Sequence, residues 1–352
     1  MKGLKIIIAI ALAAILPWLA GCDWFEGVNN PPTVLLRTGC PSWGDVLEGD
    51  DVTFAWSGTD FDGDAVSYEW SYDGSAWVAT TADSTVIQQV SAGAHAFSVR
   101  ARDSNGTTSA EPAECSFTVL PRGVARVVLV EMFTTNTCRN CPNAEAALDN
   151  MLAEIGTDQL AVVAYHDKPL AGPNSDGLAT DETDARVGWY TADESYYPEQ
   201  WPVAVFDGLR PLAGAETAEQ ATALYRFEIE SRLDLVSPIQ LVLTGVLGPA
   251  NGHVTADVKL AGRLSGDPMV LRFVVIEDDV SYNGYFAKIF DFVARDILDD
   301  YALSLAAIGD SIRVERDFAI QAGWAADNLD LIAFVQDTST REVLQAARLR
   351  HE

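Results

Sequence analysis

The hydrophobic period changes twice along this chain, and no other feature of the sequence constrains the fold as much. From Thr33 to Leu120 apolar residues alternate with polar ones in short runs, such as Val52-Thr53-Phe54-Ala55-Trp56 and Val66-Ser67-Tyr68-Glu69-Trp70. Turn clusters separate the runs: Asp60-Phe61-Asp62-Gly63-Asp64, Asp73-Gly74 and Asn105-Gly106. A period of two describes strands with one buried face, and short strands at regular spacing describe a sandwich. From Arg126 the pattern changes. Val127 to Phe133 is nearly continuous in apolar residues, as for a strand covered on both faces. Ala144, Ala147, Leu148, Met151, Leu152 and Ile155 follow at helical spacing. Gln159 to Tyr165, Trp201 to Phe206 and Leu209 to Ala213 read as further strands, with Asp207-Gly208 as a hairpin turn. Ala218, Ala221, Tyr225, Ile229 and Leu233 mark a last helix. Alternation then returns in Val254, Ala256, Val258 and Leu260, with strands also expected at Val270 to Ile276, Leu331 to Val335 and Val343 to Leu349. The expected chain is multidomain, α/β plus all-β: a β-sandwich over 33–121, an α/β domain over 124–234 and a second β-sandwich over 237–352.

The start of the sequence reads as an address. Lys2 and Lys5 precede an apolar run from Ile6 to Leu16. That run is short of the roughly 20 residues a membrane-spanning helix takes, and matches the apolar core of a signal peptide. Leu19-Ala20-Gly21-Cys22 then resembles the lipobox of bacterial lipoproteins. The resemblance implies a signal peptide over 1–21, a lipid on Cys22 and a tether over 22–32. The protein is thus expected outside the cytoplasm, lipid-anchored to a bacterial membrane. The chain has five cysteines. With Cys22 given to the lipid, four remain, which allow three connectivities. Cys138 and Cys141 form a natural local pair, and Cys40 and Cys115 are then left for each other in an oxidising compartment.

Two resemblances follow. Asp62-Gly63-Asp64 with Tyr68-Glu69-Trp70 resembles bacterial immunoglobulin-like and fibronectin-type modules. In the central segment, Cys138-Arg139-Asn140-Cys141-Pro142 opens the first helix and Pro202 opens the third strand of a β-α-β-α-β-β-α order. That order resembles the thioredoxin superfamily, and within it the thioredoxin-like outer-membrane lipoproteins with an added C-terminal β domain. Thr137 departs from the aromatic residue usual before the first cysteine, and the insert between the second and third strands is long. The resemblance implies a thioredoxin-like central domain flanked by two β-sandwiches. Cys138 would be the exposed nucleophile, Cys141 the resolving thiol, and Pro202 a cis-proline forming a substrate groove with Trp201. A helix N-terminus lowers a thiol pKa, and Arg139 can add to that effect. The substrates would be thiols or disulfides of exported proteins.

Other readings bound the function. The net charge of -28, with no Lys/Arg cluster beyond the first residues, argues against nucleic acid as a partner. Asp60, Asp62 and Asp64 can converge on a calcium ion, or can bond their own turn. Zinc would need two more ligands beside the cysteine pair. His166 is placed to approach that pair, but methionine ligands for copper are scarce. No metal and no cofactor is expected. Trp43, Trp56, Trp70 and Trp77 read as core or rim aromatics. Two functions remain open: thiol-disulfide exchange through Cys138 and Cys141, or a non-enzymatic envelope lipoprotein whose β domains bind a partner and whose cysteine pair is structural.

Overall fold

The computed structural model describes residues 29–168, 176–192, 200–264 and 268–351. The signal segment and Cys22 lie outside them. The chain divides into two compact units, one built from Met1–Pro41, Asp51–Gln88 and Ala94–Phe117, the other from Ser42–Asp50, Gln89–Gly93 and Thr118–Glu352.

The first unit is a sandwich of seven short strands: β1 (Thr33–Leu36), β2 (Val52–Thr59), β3 (Ser67–Tyr72), β4 (Val78–Thr80), β5 (Ser84–Ile87), β6 (Gly93–Arg102) and β7 (Ala113–Val119). One sheet has the order β1-β2-β5, the other β4-β3-β6-β7. The alternation read from the sequence is the burial pattern. Phe54 and Trp56 of β2, and Phe97 and Val99 of β6, are almost fully buried, with the more exposed Ala55 and Ser98 between them. Phe54 stacks on Phe97 with ring centroids 4.0 Å apart. Cys40 and Cys115 are joined by a disulfide.

The second unit holds three α-helices and thirteen strands among the described residues. Its first part comprises β8 (Val128–Thr134), α1 (Cys141–Ile155), β9 (Leu160–His166), α2 (Asp181–Thr191), β10 (Val203–Phe206), β11 (Arg210–Ala213) and α3 (Ala218–Leu233). Then come only strands: β12 (Ile239–Leu247), β13 (Asn251–Leu260), β14 (Met269–Glu277), β15 (Val280–Ser281), β16 (Ile289–Phe290), β17 (Val293–Leu303), β18 (Ser311–Ala319), β19 (Leu329–Asp337) and β20 (Val343–Arg350). Eight of these strands form one sheet in the order β11-β10-β8-β9-β17-β14-β19-β20. The join is made by β9 and β17, which run parallel where Ala164 meets Val293, and Ala164 donates its N–H to the carbonyl of Phe292 at 2.8 Å.

That join corrects the expected architecture. The chain is predominantly β, with twenty strands against three α-helices among the described residues. No thioredoxin-like α/β domain stands apart between two sandwiches, because the central strands and the C-terminal strands are one sheet with continuous cores. On one face, Leu129, Phe133, Val163 and Tyr165 pack in the same cluster as Val274, Ile276, Ile332 and Phe334 from the C-terminal strands. On the other, α1 and α3 cover β8, β9 and β10, while the three-stranded sheet β12-β13-β18 covers Leu271, Phe273, Leu331 and Val335. β8, β9, β10 and β19 are buried along their whole length for this reason. Between β14 and β18 the chain runs through β15, an irregular bend over 282–288, β16 and the long strand β17.

Two buried ionic clusters fix the sheet. Asp207, at the β10–β11 turn, is fully buried. Its carboxylate accepts from the N–H of Leu129 and from the guanidinium groups of Arg126 and Arg232, all at 2.8–2.9 Å. Arg126 also donates to the carbonyl of Val343 on β20, and Val343 returns its N–H to the carbonyl of Asp207. The next residue, Gly208, has φ +71°, and a Cβ there would collide with the carbonyl oxygen of Arg341. Within β8, buried Glu131 receives a two-pronged bond from Arg186 of α2 at 2.8 and 2.9 Å and the hydroxyl of Tyr190 at 2.5 Å. Arg186 donates further to Gln336 of β19 at 3.0 Å.

Removing one partner of a buried ionic cluster leaves the others without compensation, at a cost of about 3–5 kcal/mol. Asp207→Ala is therefore expected to lower the stability of the second unit by that order, with Arg126 and Arg232 left to the Val343 carbonyl and the partly exposed Glu342 alone. Phe97→Ala should remove about 3–5 kcal/mol from the first unit through the cavity it leaves. Denaturant titration of each variant checks both values. A loss under 1 kcal/mol in Asp207→Ala would show that the cluster does not bind the sheet together.

Candidate functional site

The cysteine pair sits where β8 ends and α1 begins. After Thr134 the chain turns, with the N–H of Cys138 donating to the carbonyl of Thr135 at 3.1 Å. The helix starts at Cys141, with Asn140 as its N-cap and Pro142 in its first turn, where a missing N–H costs nothing. Cys138 therefore precedes the helix by three residues instead of lying in it. The two cysteines are joined by a disulfide. Their exposures differ: Cys141 is 4% exposed beneath the apolar face of α1, and Cys138 is partly exposed. Arg139 between them is exposed.

The turn before Cys138 is held at both of its main-chain polar groups. Asn136 donates its N–H to Asp176 at 2.6 Å, and its carbonyl accepts from the N–H of Tyr285 at 3.2 Å. Asp176 is buried, accepts from the N–H of Leu178 and pairs with Nδ1 of buried His166 at 2.7 Å. Burial works to raise the Asp176 pKa. The bond and charge of His166, with the N–H groups of Leu178 and Asn136, outweigh it and hold the carboxyl below its ordinary value. His166 closes β9 opposite Thr134 of β8, so strand register alone brings it beside the cysteine turn. Its ring is committed to Asp176 and meets Phe290 edge-on at 5.4 Å. Thr183 of α2 caps the same corner by donating to the His166 carbonyl at 2.6 Å.

Trp201 and Pro202 enter from the facing strand. The peptide bond between them is cis. Val203 pairs with Phe133, which sets Pro202 beside the end of β8, where the chain leaves for Cys138. Pro202 is buried and Trp201 partly buried. The structure thus gathers Cys138, Cys141, Trp201, Pro202 and His166 at one end of the eight-stranded sheet. Cys40 and Cys115 belong to the first unit.

The acidic groups near the pair were not legible in sequence. Glu145, one turn beyond Cys141 on α1, accepts from the N–H of Asp291 at 2.6 Å. Burial pushes its pKa up to about 8, helped by the charges of Asp291, Asp149 and Asp278 and opposed by the Asp291 N–H. Among the described residues no group of three or more His, Cys, Asp or Glu side chains is arranged to hold a metal ion. Asp60 accepts instead from the N–H groups of Asp62 and Asp64, and Asp62 accepts from the N–H and amide of Asn30. Trp56 is core, whereas Trp43 and Trp77 are exposed, at 67% and 38%.

No family model and no curated protein matches the chain. Among solved structures, HBP35 of Porphyromonas gingivalis is similar at 18% identity and a TM-score of 0.52, over 65% of this chain and 76% of that one. A structural-genomics target protein from Agrobacterium tumefaciens is 18% identical with a TM-score of 0.44, over 65% of this chain and 96% of its own. A domain of the outer membrane lipoprotein Omp28 from Porphyromonas gingivalis is 19% identical with a TM-score of 0.22, over 34% of this chain and 91% of its own. The first likeness is one of fold. Membership of the thioredoxin superfamily, implied by the cysteine and proline motifs, is corrected on this ground: no family model supports it, and the fold is a β-rich one in which the motif-bearing segment is part of a larger sheet.

Glu145 makes stability depend on pH in a definite sense. Its carboxyl binds a proton more tightly folded than unfolded, so stability is full below the unfolded value near 4.5 and falls as pH rises toward about 8. Glu145→Gln should remove this fall and be more stable than the parent by about 1–3 kcal/mol at pH 8, with little difference at pH 4.5. Parallel denaturant titrations at the two pH values check it. A variant that loses stability equally at both would count against a protonated Glu145.

Proposed function

We propose that this protein is a non-enzymatic extracytoplasmic envelope protein that binds a partner through its β-rich units, with both disulfides serving as structural staples. The observation that carries the reading is the clamping of the cysteine turn. Asn136, two residues before Cys138, is held through its N–H by Asp176 and through its carbonyl by Tyr285. A turn fixed from two other segments suits a disulfide that serves as a staple. Disulfides persist in oxidising compartments, which supports a location outside the cytoplasm. The lipobox-like Leu19-Ala20-Gly21-Cys22 supports an anchor through a lipid on Cys22. The high negative charge supports a protein or peptide partner over nucleic acid.

A second reading, thiol-disulfide exchange with exported proteins, rests on one specific observation: Cys138 is partly exposed while Cys141 is buried. In that reaction a partner thiolate attacks Sγ of Cys138, Cys141 leaves as thiolate, and a second partner thiol completes the reduction while the partner becomes a disulfide. The reduction potential separates the two readings. A staple is expected below about −300 mV, resistant to glutathione, whereas exchange-active pairs fall between about −120 and −270 mV. We expect the lower value, with partner cross-linking in cells unaffected by the double substitution Cys138→Ser and Cys141→Ser. A potential in the higher range, with mixed disulfides trapped on Cys138 in Cys141→Ser, would establish exchange. Loss of all cross-links in the folded double variant would overturn the binding reading. Cys22→Ser should release the protein from membranes, and retention of that variant in the membrane fraction would defeat the anchor.

A further inference from the structure

The segment from Val280 to Phe290 forms a strap beside the cysteine turn. Its feet are the two-stranded ladder β15–β16, in which Val280 pairs with Phe290 and Ser281 with Ile289. The base is packed inward: Val280, Phe290, Leu178 and Val293 form a buried cluster, with Tyr282 and Ala287 against it. The hydroxyl of Tyr282 accepts the N–H of Gly177 at 3.1 Å, where the Tyr282 ring leaves no space for a Cβ. The Nζ of Lys288 donates to the side chain of Asn283 at 2.7 Å and to the carbonyl of Gly284 at 2.5 Å, which fixes the bend. On this rigid base the tip faces outward. Tyr285, Phe286 and Ile289 are 63%, 53% and 48% exposed, so three large apolar side chains within five residues meet solvent.

Such a patch on an ordered bend, beside a turn that it also clamps, is costly to leave in water and marks a contact surface. Its surroundings state the partner's charge. Asp278, Asp279 and Asp291 lie at the feet of the strap, linked by the bond from the Asp279 N–H to the Asp291 carboxylate at 2.7 Å. Glu145 of α1 bonds the main chain at Asp291 and, protonated at neutral pH, adds no charge to this rim. The basic groups here are Arg348, paired with Asp278 and Asp330, and Lys288 of the strap, whose Nζ is held by Asn283 and Gly284. An apolar tip above acidic feet complements a segment that is apolar in the middle and basic at its ends, and the same acids repel anionic lipid.

We propose that the strap tip, Tyr285, Phe286 and Ile289, is a docking surface for an extended polypeptide segment whose apolar side chains are flanked by Lys or Arg. The proposal rests on the binding reading above and deepens it by naming where the partner sits and what it is made of. The test titrates the full chain with a fluorescent synthetic peptide of alternating Val and Phe flanked by Lys, with a Glu-flanked version, and with vesicles of neutral or anionic phospholipid. The Lys-flanked peptide should bind, more weakly at high salt, and about tenfold more tightly than the Glu-flanked one. Phe286→Ser with Ile289→Ser should weaken it about tenfold, whereas Phe286→Leu alone should keep most of the binding; both side chains are exposed and the buried cluster of Leu178, Val280, Phe290 and Val293 is untouched. Equal binding by parent and double-serine variant would overturn the strap as the site while leaving the binding reading standing. Binding of vesicles alone, or no binding of the Lys-flanked peptide by the parent, would overturn the proposal. The binding reading is judged separately by partner cross-linking in cells.

Discussion

The second unit is held in register by one buried carboxylate. Asp207 sits in the tight turn between β10 and β11 and gathers Arg126 from before β8, the Leu129 main chain within it and Arg232 from the end of α3. Through Arg126 and the main chain at Val343 it also reaches β20. Four stretches far apart in sequence are thereby fixed to one point. A charge taken out of water is tolerable only where its partners are complete. The turn that carries it is equally constrained, because Gly208 lies against the Arg341 carbonyl with no room for a side chain. The helical and the purely stranded parts of the unit are fastened to each other here as well as through the β9–β17 pairing.

A second buried pair sets the other face. Glu131 lies in the middle of β8 among apolar neighbours; Arg186 and Tyr190 of α2 supply its bonds, and Arg186 donates further to Gln336 of β19. This fixes α2 over the sheet, and α2 in turn caps the end of β9 through Thr183 and His166. The cysteine turn inherits its position from that chain of contacts: His166 holds Asp176, Asp176 holds Asn136, and Cys138 follows two residues later. Position and chemistry are coupled in this arrangement. The features that hold the turn in place are a buried carboxylate and a strap from the C-terminal strands.

Electrostatics at the site work in two directions. The N-terminus of α1 carries partial positive charge, while burial and the charges of Asp291, Asp149 and Asp278 push the Glu145 carboxyl up to about 8. The same acids, placed at the feet of an outward apolar bend, give the strap its distinctive character among the exposed surfaces.

The sequence by itself determined much of the local structure. The alternation in β2 and β6 placed Phe54, Trp56 and Phe97 inside, because side chains on successive strand residues point to opposite faces. The continuous run before the cysteines named β8, and the helical spacing of Ala144, Ala147, Leu148 and Met151 named the buried face of α1. Local rules suffice where the signal is a period. They do not say which strand lies beside which. The pairing of β9 with β17 turns two expected domains into one sheet, and it depends on main-chain groups 129 residues apart at Ala164 and Val293, which have no signature in side-chain type. Nor can a pattern assign partners to a charge: Glu131 reads as an interruption in an apolar strand until α2 brings Arg186 over it, and Glu145 reads as a solvated helix residue until Asp291 arrives from the far side. The sequence set the elements because their hydrophobic periods are local; only the tertiary structure set the sheet order, the buried charges and the strap over the cysteine turn, because those are contacts between segments far apart in the chain.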